Sequence, residues 1–254
     1  MTTAKDSIKT AIAYDPTGIH QSELVYRTPL SSLLGLHAFN KLVHSIPSLP
    51  HALEFLVFLF GYAFNPVSIP LWMIAVSLTG VVVTDMPPPD TLRYDYFVFA
   101  PIYYLATVLV TLIGTEVAKA SFRATRPEAV LSAEFRASKL RRYGTLVASL
   151  KSKHSFPSGD SAQAANAVLF WFHFIAPLLL PEHQQHMTII NIFAFGIFYP
   201  GVAFARIFYH CHWIEDCLGG ALLAATLHKT VMPYVYEFVL RQVPYVYELL
   251  FQSV

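Results

Sequence analysis

The sequence predicts an all-α protein, an integral-membrane helical bundle of about six spans. Three observations carry that reading. Of 254 residues, 55% are hydrophobic and only 13% are charged, about half the roughly 25% charged share of a water-soluble domain. The apolar residues collect into consecutive segments, several closed by a turn or a proline run. The polar clusters that look chemically useful sit at the ends of those segments.

Residues 1–28 are polar and mixed. No apolar stretch follows the start, so no secretory signal peptide is expected. From 30 to 46, Leu30, Leu33, Leu34, Phe39, Leu42, Val43 and Ile46 recur at mostly helical spacing, with Lys41 and His44 off the stripe. This fits an amphipathic helix lying on a bilayer or an ordinary packed helix. Residues 1–50 are read as a polar N-terminal segment containing that helix.

Residues 51–232 form the membrane-embedded domain. Its first segment, 52–64, is short against the roughly 17–25 residues that a span needs; an earlier start near Ser45, or tilt, accommodates it. The turn Asn65-Pro66-Val67-Ser68 closes it. The second segment, 69–84, ends at the run Pro87-Pro88-Pro89. The third, 97–118, runs directly into Lys119. The fourth, 161–180, begins after Pro157-Ser158-Gly159-Asp160. The fifth, 189–205, carries Pro200-Gly201 as an expected kink, and the sixth is 213–231. If segments alternate across a bilayer, all three polar clusters reach the same face.

The tail, 233–254, is a tandem repeat in which PYVYEFVLRQV is followed by PYVYELLFQSV. Eleven residues are close to three helical turns, so equivalent positions share a face. Proline at the head of each copy suits a first helical turn, and the tyrosines suit a membrane interface. The tail is expected to be an interfacial anchor or a packing helix.

Nine of the 17 Lys and Arg residues lie between Lys119 and Lys153. The positive-inside tendency alone would put this stretch in the cytoplasm. The net charge of +1 gives no general attraction for nucleic acid. Cys211 and Cys217 are too few for a disulfide framework and read as buried thiols.

The polar clusters are KASFRATRP, SFPSGDSAQ and ARIFYHCHWIED. Lys119, Arg126 and Arg206 supply three cations to offset a phosphate group. The arginines can each grip two oxygens, while lysine acts as a point charge. Ser158, Gly159 and Asp160 open a helix whose N–H groups make an anion site. Gly159 allows close backbone approach, and Ser158 adds a hydroxyl; a plain capped helix start would look the same. His212 and Asp216, four apart, share a helical face. His212 is the candidate nucleophile, its ring nitrogen attacking phosphorus. Asp216 would orient the ring and stabilise its positive charge. A His–Asp pair at this spacing is also a common local helix contact or half of a metal site, with His210 and Glu215 nearby.

In order and spacing these clusters resemble the type 2 phosphatidic acid phosphatase/vanadium haloperoxidase superfamily, with its KxxxxxxRP, PSGH and SRxxxxxHxxxD motifs, over roughly residues 95–232. The first motif matches in full. In the second, Asp160 stands where the family has histidine. In the third, Ala205 replaces serine while Arg206, His212 and Asp216 match. The resemblance implies a membrane lipid phosphatase that works through a phosphohistidine, with no metal or other cofactor. Its substrate would be a phosphorylated lipid. It further implies an endomembrane location such as the endoplasmic reticulum, with the active face in the lumen; the plasma membrane is the other location. This orientation opposes the basic stretch and is preferred to it.

In the resembled family the PSGH histidine protonates the leaving group. Three nearby cations favour the ionised form of an aspartate there, so Asp160 makes a poor acid. Three readings follow: a diphosphate substrate, such as an isoprenoid diphosphate, whose leaving phosphate needs little protonation; His154 or His210 acting as the acid; or a weakened or inactive enzyme. The alternatives to hydrolysis are lipid phosphotransfer in headgroup synthesis and a retired, lipid-binding protein. Haloperoxidase chemistry is more remote.

Overall fold

The computed structural model describes residues 35–46, 49–64, 68–83, 92–127, 143–148, 154–176 and 194–251. The chain is all-helical, and no strand occurs among these residues. Residues 1–34, the proline run 87–89, the ends of segments four and five, and Arg136, Lys139, Arg141, Arg142, Lys151 and Lys153 lie outside the described residues.

In chain order the helices are α1 (His37–Ser45), α2 (His51–Tyr62), α3 (Ile69–Val83), α4 (Leu92–Phe122), the short α5 (Gly144–Ala148), α6 (Gly159–Phe170), α7 (Tyr199–Phe208), α8 (Ile214–Thr230) and α9 (Met232–Phe251). A π-helical turn at Trp171–Ile175 extends α6, and another at Ala194–Phe198 leads into α7. The expected apolar segments are recovered as α2, α3, α4, α6, α7 and α8. Among the described residues, the part of α4 from Phe99 to Phe122 is long and apolar enough to cross a bilayer, while α2 and the stretch into α7 are shorter apolar helices.

The long helix α4 is the axis of the bundle; α3, α6, α8 and α9 all pack on it. Its buried face carries Phe99, Tyr103, Tyr104 and Val108, which meet Phe170 and Ile175 from the α6 side and Val239 from α9. Tyr103 is a hub for rings, with centroids 5.5 Å from Phe170, 5.5 Å from Phe174 and 5.4 Å from Tyr236, spacings at which edge-on aromatic pairs attract. On its other side Leu109, Leu112, Ile113, Val117 and Phe122 are exposed.

Pro200 and Gly201 lie in the first turn of α7, directly after the π-helical turn, and a Cβ at Gly201 would come within 3.0 Å of the Phe60 ring, so the glycine admits α2. Both copies of the tail repeat lie in a single helix, α9, which runs unbroken from Met232 to Phe251 and includes Pro244; loss of one N–H need not end a helix.

The α1 stripe is redistributed. Val43 is buried as expected, but so are Asn40 and the off-stripe His44, whereas Phe39 and Leu42 are 42% and 62% exposed. The reason is the partner. Helix α1 packs on α7 and on the polar turn that follows it, where buried polar side chains find hydrogen bonds.

Candidate active site

The tightest helix pair in the bundle builds the site floor. A Cβ on Gly220 of α8 would fall 2.5 Å from the Ser158 carbonyl and 3.0 Å from the Ala162 nitrogen. Only a residue with no side chain lets α8 lie this close to the N-terminus of α6. Ser158 is the N-cap of α6, its hydroxyl accepting from the Ser161 N–H at 3.3 Å. Its own backbone N–H donates to the Asp216 carbonyl at 2.9 Å. The N–H groups of Gly159 and Asp160 begin the helix, where backbone donors lack intrahelical partners. Ser158 thus spends its hydroxyl and its N–H within the fold, while Gly159 and Asp160 occupy the first turn.

Lys119 comes from the last turn of α4. Its Nζ pairs with Glu116 at 2.6 Å and would stand 3.5 Å from a Cβ on Gly159. Arg126 follows α4 in an extended stretch. Its Nη1 donates to the Cys211 carbonyl at 2.6 Å and lies 3.3 Å from His212 Nε2. Helix α7 ends at Phe208, and the chain turns back through His210 at φ 56°, a left-handed conformation used at helix C-termini. That reversal presents His212 to Arg126. The imidazole is 1% exposed.

Asp216, in the first turn of α8, lies with Oδ2 3.4 Å from His212 Nδ1. The same oxygen accepts from the Trp213 N–H at 2.8 Å and from the Ser155 hydroxyl. With a carboxylate at Nδ1 and a guanidinium at Nε2, the geometry favours the tautomer with a proton on Nδ1 and a lone pair on Nε2. Burial, then the charges of Arg126, Arg206 and Lys119, hold the His212 ring well below its usual 6.5. Both influences favour the neutral ring.

Arg206, near the end of α7, has three tethers. Its Nη1 donates to the Gly61 carbonyl at 3.2 Å and to the Val147 carbonyl at 3.1 Å. Its Nη2 pairs with Asp160 at 3.0 Å. Its buried Nε has no hydrogen-bond partner among the described residues.

The structure thus brings Lys119, Arg126, Ser158, Gly159, Arg206, His212 and Asp216 to one end of the bundle. Asp160 joins them as the ion-pair partner of Arg206. His210 packs its ring against His44, centroids 4.8 Å apart. Among the described residues no group of three or more His, Cys, Asp and Glu side chains gathers as metal ligands would. Cys211 and Cys217 are buried free thiols.

Sequence reasoning missed Ser155, the hydroxyl that holds Asp216. It missed Gly220, the carbonyls of Gly61, Val147 and Cys211, and the contribution of Asn40. Ser155 lies three residues ahead of Ser158 in the motif and was open to notice. The carbonyls leave no mark in a side-chain pattern.

A family model described as PAP2 superfamily matches residues 100–239. That stretch contains all eight of the residues singled out from the sequence. No curated protein and no solved structure matches the chain.

Proposed function

From the premise that the chain belongs to the PAP2 superfamily, whose members are phosphatases acting on phosphate esters, we propose that it is a membrane lipid phosphatase or diphosphatase working through a phosphohistidine at His212. The observation that carries this reading is the buried imidazole with its Nε2 3.3 Å from Arg126 and its Nδ1 3.4 Å from Asp216, with Arg206 and Lys119 close enough to bear on it.

In the proposed mechanism the phosphate lies over the α6 N-terminus. Lys119, the free edge of Arg206 and the N–H groups of Gly159 and Asp160 neutralise its oxygens. Arg126 moves from Nε2 to a phosphate oxygen. His212 Nε2 attacks phosphorus, and an N–P bond forms as the bond to the leaving oxygen breaks. Asp216, fixed by Ser155 and the Trp213 N–H, stabilises the ring as it becomes positive. Water then attacks phosphorus, gives its proton to the bulk, and releases inorganic phosphate and the free imidazole.

The ion pair between Asp160 and Arg206 bears on the leaving group. A carboxylate committed to a guanidinium is a hydrogen-bond acceptor and not a proton donor. This supports a diphosphate substrate, isoprenoid diphosphates included, whose departing phosphate needs no proton, over a monophosphate that expels a lipid alkoxide. The exposed apolar side of α4 supports a bilayer that delivers the lipid tail while the headgroup reaches the site. The luminal face of an endomembrane is the proposed setting.

The test is phosphate release by the purified chain from a panel of glycerophospholipid, sphingoid and isoprenoid phosphates and diphosphates. It is paired with trapping of an acid-labile phosphoenzyme. Wild type should form the adduct and His212→Ala should not. Adduct formation with an unchanged yield in His212→Ala overturns the reading. Discharge by an alcohol in preference to water would turn the assignment to phosphotransfer.

A further inference from the structure

Helix α1 lies outside the stretch that matches the family model, yet it reaches the turn that carries His212. Its Asn40 is fully buried and makes two bonds at once. The side-chain Nδ2 donates to Glu215 Oε2 at 2.9 Å, and Oδ1 accepts from the Ile214 N–H, also at 2.9 Å. The chemistry of the partners fixes the orientation of this amide. A backbone N–H can only donate and a carboxylate can only accept, so a group with both capacities is required. Aspartate would set carboxylate against buried carboxylate. Alanine would strand an N–H at the start of α8 and take one hydrogen bond from the buried Glu215, a costly outcome for polar groups away from water. Around this bond, Val43 packs with Ile207 and Cys217, and the His44 ring stands edge-on to His210 at 4.8 Å and to Trp213 at 5.2 Å. Asn40 therefore holds the two residues that follow Trp213, while its neighbours one turn on hold those that flank His212.

We infer that Asn40 is a positioning residue for His212, through which the N-terminal helix sets the register of the nucleophile turn. The inference rests on the reading of His212 as nucleophile. What it adds is that the catalytic unit extends beyond residues 100–239 to α1. The needed precision is high, because His212 Nε2 must meet phosphorus in line while Nδ1 stays on Asp216, and a misplacement of about 1 Å costs roughly 100-fold in rate.

The test reverses the polarity of the bond in the full chain, purified in detergent. In Asn40→Asp the two carboxylates face each other. In the double variant Asn40→Asp/Glu215→Gln, the amide introduced at position 215 donates to the carboxylate introduced at position 40. That carboxylate still accepts from the Ile214 N–H, and the total charge equals that of wild type. Two readouts are taken: steady-state hydrolysis of an isoprenyl diphosphate in mixed micelles, and carbethoxylation of His212 by diethyl pyrocarbonate followed by mass spectrometry. Asn40→Asp is expected to lower kcat roughly 10- to 100-fold with KM within about threefold, as for loss of a hydrogen bond to a charged group. It should also speed modification of the His212 ring at least about fivefold. The double variant should return both readouts to within about threefold of wild type. Lack of recovery in the double variant, or single-variant values equal to wild type, overturns the inference. Failure of the underlying reading looks different: His212→Ala would keep its turnover while the modification arm still reports whether Asn40 holds the turn.

Discussion

Substituting Gly220 by alanine tests the site floor at the scale of a single methyl group. The added Cβ would stand 2.5 Å from the Ser158 carbonyl and 3.0 Å from the Ala162 nitrogen. Both are backbone atoms at the anchored start of α6, so no side chain can swing away. Restoring an ordinary contact near 3.4 Å requires α8 to retreat by about 0.9 Å from Ser158, with an overpacking cost of about 1–3 kcal/mol. The gain from replacing a helical glycine, about 0.5–1 kcal/mol, offsets part of this, which leaves a net loss of about 0–2.5 kcal/mol. Activity should suffer more than stability. Asp216 lies one turn before Gly220 on the same helix, and its carbonyl is bonded to the Ser158 N–H. The shift therefore parts the carboxylate from the anion-binding turn, and at about 1 Å the expected loss in kcat is roughly 100-fold. The assay is turnover in mixed micelles beside thermal unfolding. Gly114→Ala serves as the comparison, because its Cβ meets only the movable side-chain ends of Leu227 at 3.1 Å and Leu223 at 3.9 Å and should change kcat less than about threefold. A Gly220→Ala enzyme within threefold of wild type, or an equal loss in Gly114→Ala, would refute the reasoning.

Other outcomes follow from the same geometry. Because His212 titrates well below 6.5 in the folded chain, the acid limb of kcat/KM that belongs to it should lie below pH 6.5. The unfolded chain binds the proton first, so the contribution of this group to stability is intact above pH 6.5. It is lost as pH falls below that value, by up to about 1.4 kcal/mol per unit, which acid denaturation of wild type against His212→Gln measures. Ser155→Ala removes the hydroxyl donor to Asp216 and should lower kcat roughly tenfold or more with little change in KM, read by steady-state kinetics. Asp160→Asn breaks the pair with Arg206. Because the paired carboxylate donates no proton, wild type should turn over a lipid diphosphate faster than its monophosphate, and Asp160→Asn should lower both by a similar factor; a selective loss on the monophosphate would show Asp160 acting as the acid and overturn the leaving-group reading.

The helical class and most of the site were legible in the sequence because their determinants are local. Apolar runs between proline, glycine and charged breakers give α2, α3, α4, α6, α7 and α8 in chain order, while the end of segment four and the start of segment five lie outside the described residues. The residues from Lys119 to Asp216 declare themselves by charge and spacing, and α4, α6, α7 and α8 bring them together. What stayed hidden depends on partners. The sequence shows Phe39 and Leu42 as the apolar stripe of α1 but not that the helix would bury Asn40 and His44 instead, since the turn it covers is distant in the chain. Nothing in the sequence tells that Gly201 lies against Phe60. Asp160 reads as a failed acid until Arg206 appears beside it.

The three tethers of Arg206 change how its mutants must be interpreted. One guanidinium joins the end of α2 through Gly61, the short helix α5 through Val147, and the start of α6 through Asp160. It works as a keystone as well as a proposed phosphate ligand. An alanine there would loosen three segments together, so lost turnover would mix architecture with recognition. Lysine preserves the charge but not the several anchoring points of the fork. Substitutions at Lys119, whose ammonium pairs with Glu116 of its own helix, give the cleaner measure of what positive charge contributes to binding.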